Sequence, residues 1–347
     1  MKIADLHEDI AYASKTGGFQ PEYNKNLILN FEEDIKGRHA DIPKYIKGNV
    51  CFVFGAVFPA LNTFSEIESK RLDELYGDWK VPLVPHISNF EEIIDQVLIY
   101  RHLIKRYKDK LTLINKQKDI EILDKNGKIG ILISLEGLDA LKKPEDAEIF
   151  YLLGIRSVAL TWNYDNKFAS SCTSKKDYGL TKAGEDLIEI CNNLGIIVDV
   201  SHASKNSALE ATNVSKLPVI ASHSNYYKIK NHNRNLDDEV LEGIKRTKGV
   251  IGFTFITSTI GEKADVNELS KHIIAVWENF DSDILALGTD FFGISKTPEG
   301  LEDVSKIPSL IENLKNKGLS DNDIEKLCWK NVYRVLSEHE RRWKEEI

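Results

Sequence analysis

The sequence predicts an α/β fold of the (β/α)8 TIM-barrel class, in a single domain over residues 1–347. Three observations lead there. Eight apolar runs have strand length, amphipathic stretches separate them, and residues able to ligate a metal stand at the ends of several runs. Strands alternating with helices argue for a parallel sheet, and eight repeats argue for a closed one. The chain exceeds a typical barrel by about a hundred residues. The excess falls at residues 10–48 and 59–127, so long insertions are expected after strands one and two.

The eight runs are Ile3–His7, Val50–Val57, Ile129–Leu135, Ile155–Thr161, Ile196–Ser201, Pro218–Ser222, Gly249–Phe255 and Ile284–Gly288. Helical patterning is clearest over Phe90–Tyr107, Thr181–Leu194, Lys205–Val214, Asp237–Thr247 and Asn267–Asn279. The end of the chain, Asp321 to Ile347, reads as helix finishing in a charged run, a solvated face. No Pro/Gly/Ser-rich linker, repeat or low-complexity tract divides the sequence.

A formal charge of -8 and a pI near 5.7 argue against nucleic acid or an anionic membrane as partner. No apolar run approaches the roughly 18 residues of a membrane span. The first thirty residues carry charged Asp5 to Asp9 where a signal peptide would be apolar. Cys51, Cys172, Cys191 and Cys328 show no C-x-x-C spacing, which suits a reduced compartment. A cytoplasmic protein is the expectation. The sequence does not fix an oligomeric state; a homodimer is the assembly carried forward.

The stretch from Ile196 to Asn235 concentrates the chemistry. Two Val/Ile-rich runs both end in Ser-His, with a short helical pattern between them. A parallel crossover places both strand ends on one side of a sheet. His202 and His223 are therefore expected side by side, where two imidazoles suit a borderline-soft metal such as zinc. The plainer alternative is that each histidine closes its strand with a backbone hydrogen bond.

Other strand ends supply further candidates, since a barrel of this class gathers its site at the carboxyl edge. Strand one ends D-L-H-E-D, where Asp5, His7 and Asp9 share a face and His7 and Asp9 lie nearest the rim. Strand three ends in Glu136, after a buried run that normally excludes a carboxylate, so a cation partner is expected. That cation is either a metal or a side chain such as Arg156. Strand four gives Trp162 and Asn163; a tryptophan at a rim is packing as readily as chemistry. Arg234, in a loop rich in Asn and His, suits a carboxylate, with a surface role as the alternative. Strand eight ends in Asp290. These residues make enough ligands for two metals, with Glu136 between them. Two zinc ions about 3.5–4 Å apart would hold a hydroxide at neutral pH.

The sequence also resembles the renal, or membrane, dipeptidase family of zinc peptidases over nearly its whole length. The resemblance is carried by D-L-H-E-D at 5–9, H-A-D-I-P-K-Y-I-K-G-N-V at 39–50 and I-S-L-E-G at 133–137. It continues through L-G-I-R-S-V-A-L-T-W-N at 153–163, G-L-T-K-A-G at 179–184 and N-N-L-G-I-I-V-D-V-S-H at 192–202. P-V-I-A-S-H-S at 218–224, R-N-L-D-D at 234–238, G-T-D-F at 288–291 and N-V-Y-R-V at 331–335 complete the order.

The resemblance implies a (β/α)8 barrel with two Zn2+ per chain. His7 and Asp9 would bind the first ion, His202 and His223 the second, and Glu136 would bridge them. It implies that Arg234 binds substrate carboxylate and that Asp290 handles the proton passed from the nucleophile to the leaving amine. The implied reaction is hydrolysis of dipeptides by a metal-bridging hydroxide, with tolerance of a D-residue on the carboxyl side; some members open β-lactams.

The chain departs from the family in two places. Trp162 stands where mammalian members carry a histidine thought to steady the oxyanion, and Phe292 stands where they carry a second acid. The secreted members' signal peptide and lipid-anchor signal are not seen here. Substrate range and rate are what these changes touch. The rivals are another amide or lactam hydrolase on the same barrel, and a metal-containing binding protein without turnover.

Overall fold

The computed structural model describes residues 1–59, 74–75 and 89–344. Nine strands are present among them: β1 (Ile3–Glu8), β2 (Val50–Val57), β3 (Leu111–Leu113), β4 (Ile129–Glu136), β5 (Ile155–Ala159), β6 (Ile197–Asp199), β7 (Val219–Ser224), β8 (Ile251–Phe253) and β9 (Leu285–Leu287). Every pairing is parallel, in the order β1-β2-β4-β5-β6-β7-β8-β9. The circle closes just past β9, where Asp290 N–H donates to His7 O (3.0 Å) and Asp9 N–H donates to Phe291 O (2.9 Å). The result is a nearly closed eight-stranded α/β barrel.

β3 was not foreseen. It pairs with β4 through Leu111↔Ile129 and Leu113↔Ile131, below the point where β5 takes over that edge at Ile133. Three residues are too short a run to show a period of two. The strands of the barrel are buried nearly throughout because helices or the barrel interior cover both faces. The interior tolerates no side chain at two points. A Cβ on Gly252 would lie 1.9 Å, and on Gly288 1.8 Å, from Ser222 O, so the backbones there meet directly.

The helices lie where the pattern put them, and their ends have local causes. Thr181, Ser204, Asp237 and Asp265 cap Lys182–Leu194, Lys205–Val214, Asp238–Arg246 and Val266–Phe280, each side chain accepting a first-turn N–H. Removing such a cap typically costs about 1 kcal/mol. Asp238–Arg246 turns Val240, Leu241 and Ile244 to the barrel, with acids in its first turn and basic residues in its last.

The insertion at 10–48 contains the helices Ile10–Thr16 and Ile42–Gly48. The expected insertion at 59–127 lies partly outside the described residues; its described part holds Asn89–Arg106, β3 and Asp119–Asn126. The end of the chain differs from the expectation. Helix continues through a π-turn at Lys326–Lys330 into Asn331–Glu340, but the last described turn is not a wholly solvated face. Trp343 is buried and its indole N–H donates to Gly195 O (2.9 Å). No helix among the described residues is long and apolar enough to cross a membrane.

Candidate metal centre and active site

The carboxyl edge of the barrel brings together the residues that the strand ends pointed to. His7, Asp9, Glu136, His202, His223 and Asp290 are all buried, none more than 8% exposed. From His7 Nε2 it is 3.4 Å to Asp9 Oδ2, 3.7 Å to Glu136 Oε2 and 3.9 Å to Asp290 Oδ1. Glu136 Oε1 lies 3.1 Å from His202 Nε2 and 3.5 Å from His223 Nε2. Asp290 therefore stands within ligand reach as well as beside the ligands, forming one cluster with His7 and Asp9.

The two Ser-His strand ends are not equivalent. β7 runs on through His223, whereas β6 stops at Asp199 and His202 sits three residues later with φ 66°. That turn is stitched by Asp199 Oδ1, which accepts the N–H groups of Ser201 (2.8 Å) and Ser222 (2.9 Å). The serines of the Ser-His pairs hold the second histidine. Ser201 Oγ accepts the His223 N–H (3.0 Å), and Ser222 Oγ lies 2.7 Å from His223 Nδ1.

The hydrogen bonds at the far side of each ring fix the tautomers. His202 Nδ1 donates to Asn163 Oδ1 (2.8 Å), and His223 Nδ1 donates to Ser222 Oγ, which passes on to Ser201 Oγ (3.3 Å). Both rings then present a bare Nε2, and those two lone pairs face each other at 2.9 Å. Burial, with the Arg234 charge and the neighbouring histidines adding, holds both imidazoles well below their ordinary pKa, in the neutral form that ligates.

The acids tell the same story from the other side. Burial pushes Glu136 up to about 8 and Asp290 well above the usual carboxylate range. Burial alone would lower His7, but the charges of Glu136, Asp9 and Asp290 outweigh it and raise it to about 10. His7 Nε2 is nonetheless buried with no hydrogen-bond partner. An uncompensated buried ion costs several kcal/mol, and one shared proton cannot serve three carboxylates and two facing lone pairs. A divalent cation serves all of them, so the donor set fits a metal of the zinc type.

Of the other predicted residues, Trp162 lines the cavity over this cluster, its ring 4.7 Å from Phe58 edge-on and 6.0 Å from His202. Arg234 is 1% exposed, its Nη2 donating to His223 O (3.1 Å) while its charge acts on Glu136 and Asp290. It is not among the described residues lining the cavity. Phe292 is fully buried. Asp5 is outside the candidate ligand cluster but braces it: it accepts from His7 N–H (3.2 Å), Thr289 N–H (2.8 Å) and Thr289 Oγ–H (2.6 Å), tying β1 to the end of β9. The alternative of an Arg156–Glu136 ion pair is not what the barrel builds. Arg156 donates to the carbonyls of Asn115, Tyr151 and Ile155 and stacks on the Tyr151 ring.

Several site residues carried no sequence signal of their own role. Asn163, noted only as a strand end, orients His202. Tyr12, Phe19 and Phe58 complete an aromatic wall with Trp162. Gly293 leaves room for the acids: a Cβ there would lie 2.3 Å from Asp9 Oδ2 and 2.4 Å from Asp290 Oδ1.

Known proteins are similar to this chain in sequence and in shape. The chain matches the family described as membrane dipeptidase (peptidase family M19) over residues 1–346. Dipeptidase tcpJ of Claviceps purpurea (strain 20.1) is 32% identical over 314 residues, covering 89% of this chain and 71% of that protein. Dipeptidase verJ of Clonostachys rogersoniana is 30% identical over 338 residues, covering 96% and 83%. A solved metallo peptidase from Rhodobacter sphaeroides, liganded with a phosphinate mimic of the dipeptide L-Ala-D-Ala, shares the fold with a TM-score of 0.82 at 23% identity, covering 98% of this chain and 99% of that one. With relatives of that kind, and a family match that takes in each of the buried ligand candidates, the chain belongs to the membrane dipeptidase family (peptidase family M19) and is a metallo-dipeptidase.

Proposed function

We propose that the chain hydrolyses dipeptides bearing a free carboxylate at a site holding two zinc ions. His7 and Asp9 would hold one ion, His202 and His223 the other, with Glu136 placed to serve both. One observation carries this reading: the two oxygens of Glu136 face different partners, Oε2 towards His7 and Oε1 towards the His202–His223 pair. When bound, a metal pair of this kind supplies carbonyl polarisation and a hydroxide nucleophile near neutral pH.

The chain's own residues do the rest. Asp290, whose Oδ1 lies 3.9 Å from His7 Nε2 and which clusters with His7 and Asp9, takes the proton released as the peptide carbonyl is attacked. It returns that proton to the leaving nitrogen. Arg234, buried with its Nη2 on His223 O, is the group assigned to the substrate carboxylate. Its guanidinium is able to give two parallel hydrogen bonds once substrate reaches it. Asn163, Ser201 and Ser222 keep the imidazoles in register, which a bound substrate must not disturb. Tyr12, Phe58 and Trp162 keep bulk water from the reacting carbonyl. The ligand of the Rhodobacter structure supports acceptance of a D-residue on the carboxyl side.

The test compares Ala–D-Ala-type dipeptides with their N-blocked and C-amidated forms, in wild type and in Arg234→Lys. Free dipeptides should be turned over, amides poorly, and the substitution should weaken only the former. Equal losses on both substrates would give Arg234 a structural job. Preference for N-blocked substrates or a lactam would make this a different amide hydrolase.

A further inference from the structure

The direction in which Asp290 points is set by five consecutive N–H groups. Thr289 N–H donates to Asp5 Oδ1 (2.8 Å), Asp290 N–H to His7 O (3.0 Å), Phe291 N–H to Thr289 Oγ1 (3.2 Å) and Gly293 N–H to Asp290 O (3.1 Å). Those four acceptors belong to β1 or to the turn itself. The fifth does not. Phe292 N–H is accepted by His39 Nδ1 at 2.8 Å, from the insertion that follows β1.

Phe292 needs an anchor. Its φ is 72° and that of Asp290 is 64°, both in the left-handed region that a side chain with a Cβ adopts only under constraint. His39 is 2% exposed, with its ring 4.9 Å from that of Phe291 and 5.7 Å from that of Phe292. The same insertion packs on the turn a second time, since a Cβ on Gly18 would lie 3.3 Å from Phe292 O.

The protonation of His39 follows from its partners. An Nδ1 that accepts leaves the proton on Nε2. Nε2 lies 2.8 Å from the amide nitrogen of Gln20, while Gln20 Oε1 is buried without a partner. Half a turn of that amide satisfies both groups, with Nε2–H donating to Oε1. Burial pushes His39 down to about 3, which leaves the ring neutral and in that one tautomer.

We propose that His39 is a positioning residue for Asp290: it holds the Phe292 peptide, and so the turn that aims the Asp290 carboxyl, while Gln20 fixes its tautomer. The proposal rests on the reading of Asp290 as the proton-transfer group. It also gives the insertion at 10–48 a task in the chemistry, although none of its residues from Gln20 to His39 lines the described cavity.

The experiment uses metal-loaded full-length protein and four variants: His39→Leu, His39→Gln, Asp290→Asn and the double variant His39→Leu/Asp290→Asn. Displacing a reacting group by about an ångström costs on the order of a hundredfold, so His39→Leu should lower kcat roughly ten- to a hundredfold. KM and metal content should stay within about twofold, and the Phe292 amide should lose its protection from hydrogen exchange. His39→Gln keeps an acceptor and should recover most of the loss, and it remains informative if the leucine variant folds poorly. In the Asp290→Asn background His39→Leu should cost nothing further in kcat. Losses that multiply in the double variant, or a His39→Leu enzyme with wild-type kcat, would overturn the proposal while leaving the role of Asp290 standing. A fully active Asp290→Asn enzyme would overturn both.

Discussion

His202 and His223 face each other through their Nε2 atoms at 2.9 Å, and each ring spends its Nδ1 proton on a different partner, Asn163 and Ser222. Neutral rings held this way repel, and a divalent ion held by both would turn the repulsion into two bonds. Purified protein should therefore contain two divalent ions per chain, with zinc the expected element, as measured by mass spectrometry of the metal content. His223→Ala should fall to about one ion and lose turnover with the barrel still folded by circular dichroism. Full activity after exhaustive chelation would sink this reading.

Asp290 Oδ1 lies 3.9 Å from His7 Nε2, a distance that suits either a ligand or a proton-transfer group. Asp290→Asn separates the two roles because the amide keeps the shape and loses the acid. Proton transfer predicts a fall in kcat of roughly 10²–10⁴ with both ions retained, and a much smaller change in KM. Loss of one ion from Asp290→Asn protein would make it a ligand instead.

Gly293 is a steric prediction with little room for a second reading. Its φ is not in the left-handed region, so alanine suits the backbone, yet the added methyl would press on Asp9 Oδ2 and Asp290 Oδ1 together. Gly293→Ala should weaken metal retention in dialysis and lower kcat, while the melting temperature of the metal-free protein moves little. Unchanged metal affinity would mean that the two carboxyls can both give way.

The strand ends were legible because burial makes them so. Glu136 after an apolar run, and His223 after another, are residues that a core excludes unless something pays their desolvation. The barrel was legible for the same reason, since eight apolar runs at helix-sized spacing leave few other folds. What could not be read was everything set by neighbours distant in sequence. Asn163 reaches His202 across 39 residues and His39 reaches Phe292 across 253. A glycine such as Gly293, chosen for the space it leaves between Asp9 and Asp290, has no pattern at all. His202 was placed rightly but for an incomplete reason: it comes from a left-handed turn beyond β6, not from the strand.

Trp162 stands where the family resemblance implies a histidine in mammalian members. Its indole is 5% exposed, stands edge-on to Phe58 at 4.7 Å and lies 5.5 Å from the Tyr164 ring. The face it gives the cavity is apolar and broad, and it offers one N–H donor and no charge. A histidine could donate and carry positive charge towards a developing oxyanion, an interaction worth about 2.7–4 kcal/mol where it is fully made. Two effects then oppose each other in Trp162→His. The new donor should raise kcat on small dipeptides, by up to roughly a thousandfold if the ring reaches the oxyanion. The vacated volume beside Phe58 should cost about 3–5 kcal/mol of stability at most, the range for truncating a buried aromatic. It should also erase a preference for apolar substrate side chains. Measurement of kcat and KM for Ala–D-Ala-type and bulky apolar dipeptides, beside metal content and melting temperature, resolves the two. A lower melting temperature with unchanged kinetics on every dipeptide would place Trp162 in the packing, outside the substrate's reach.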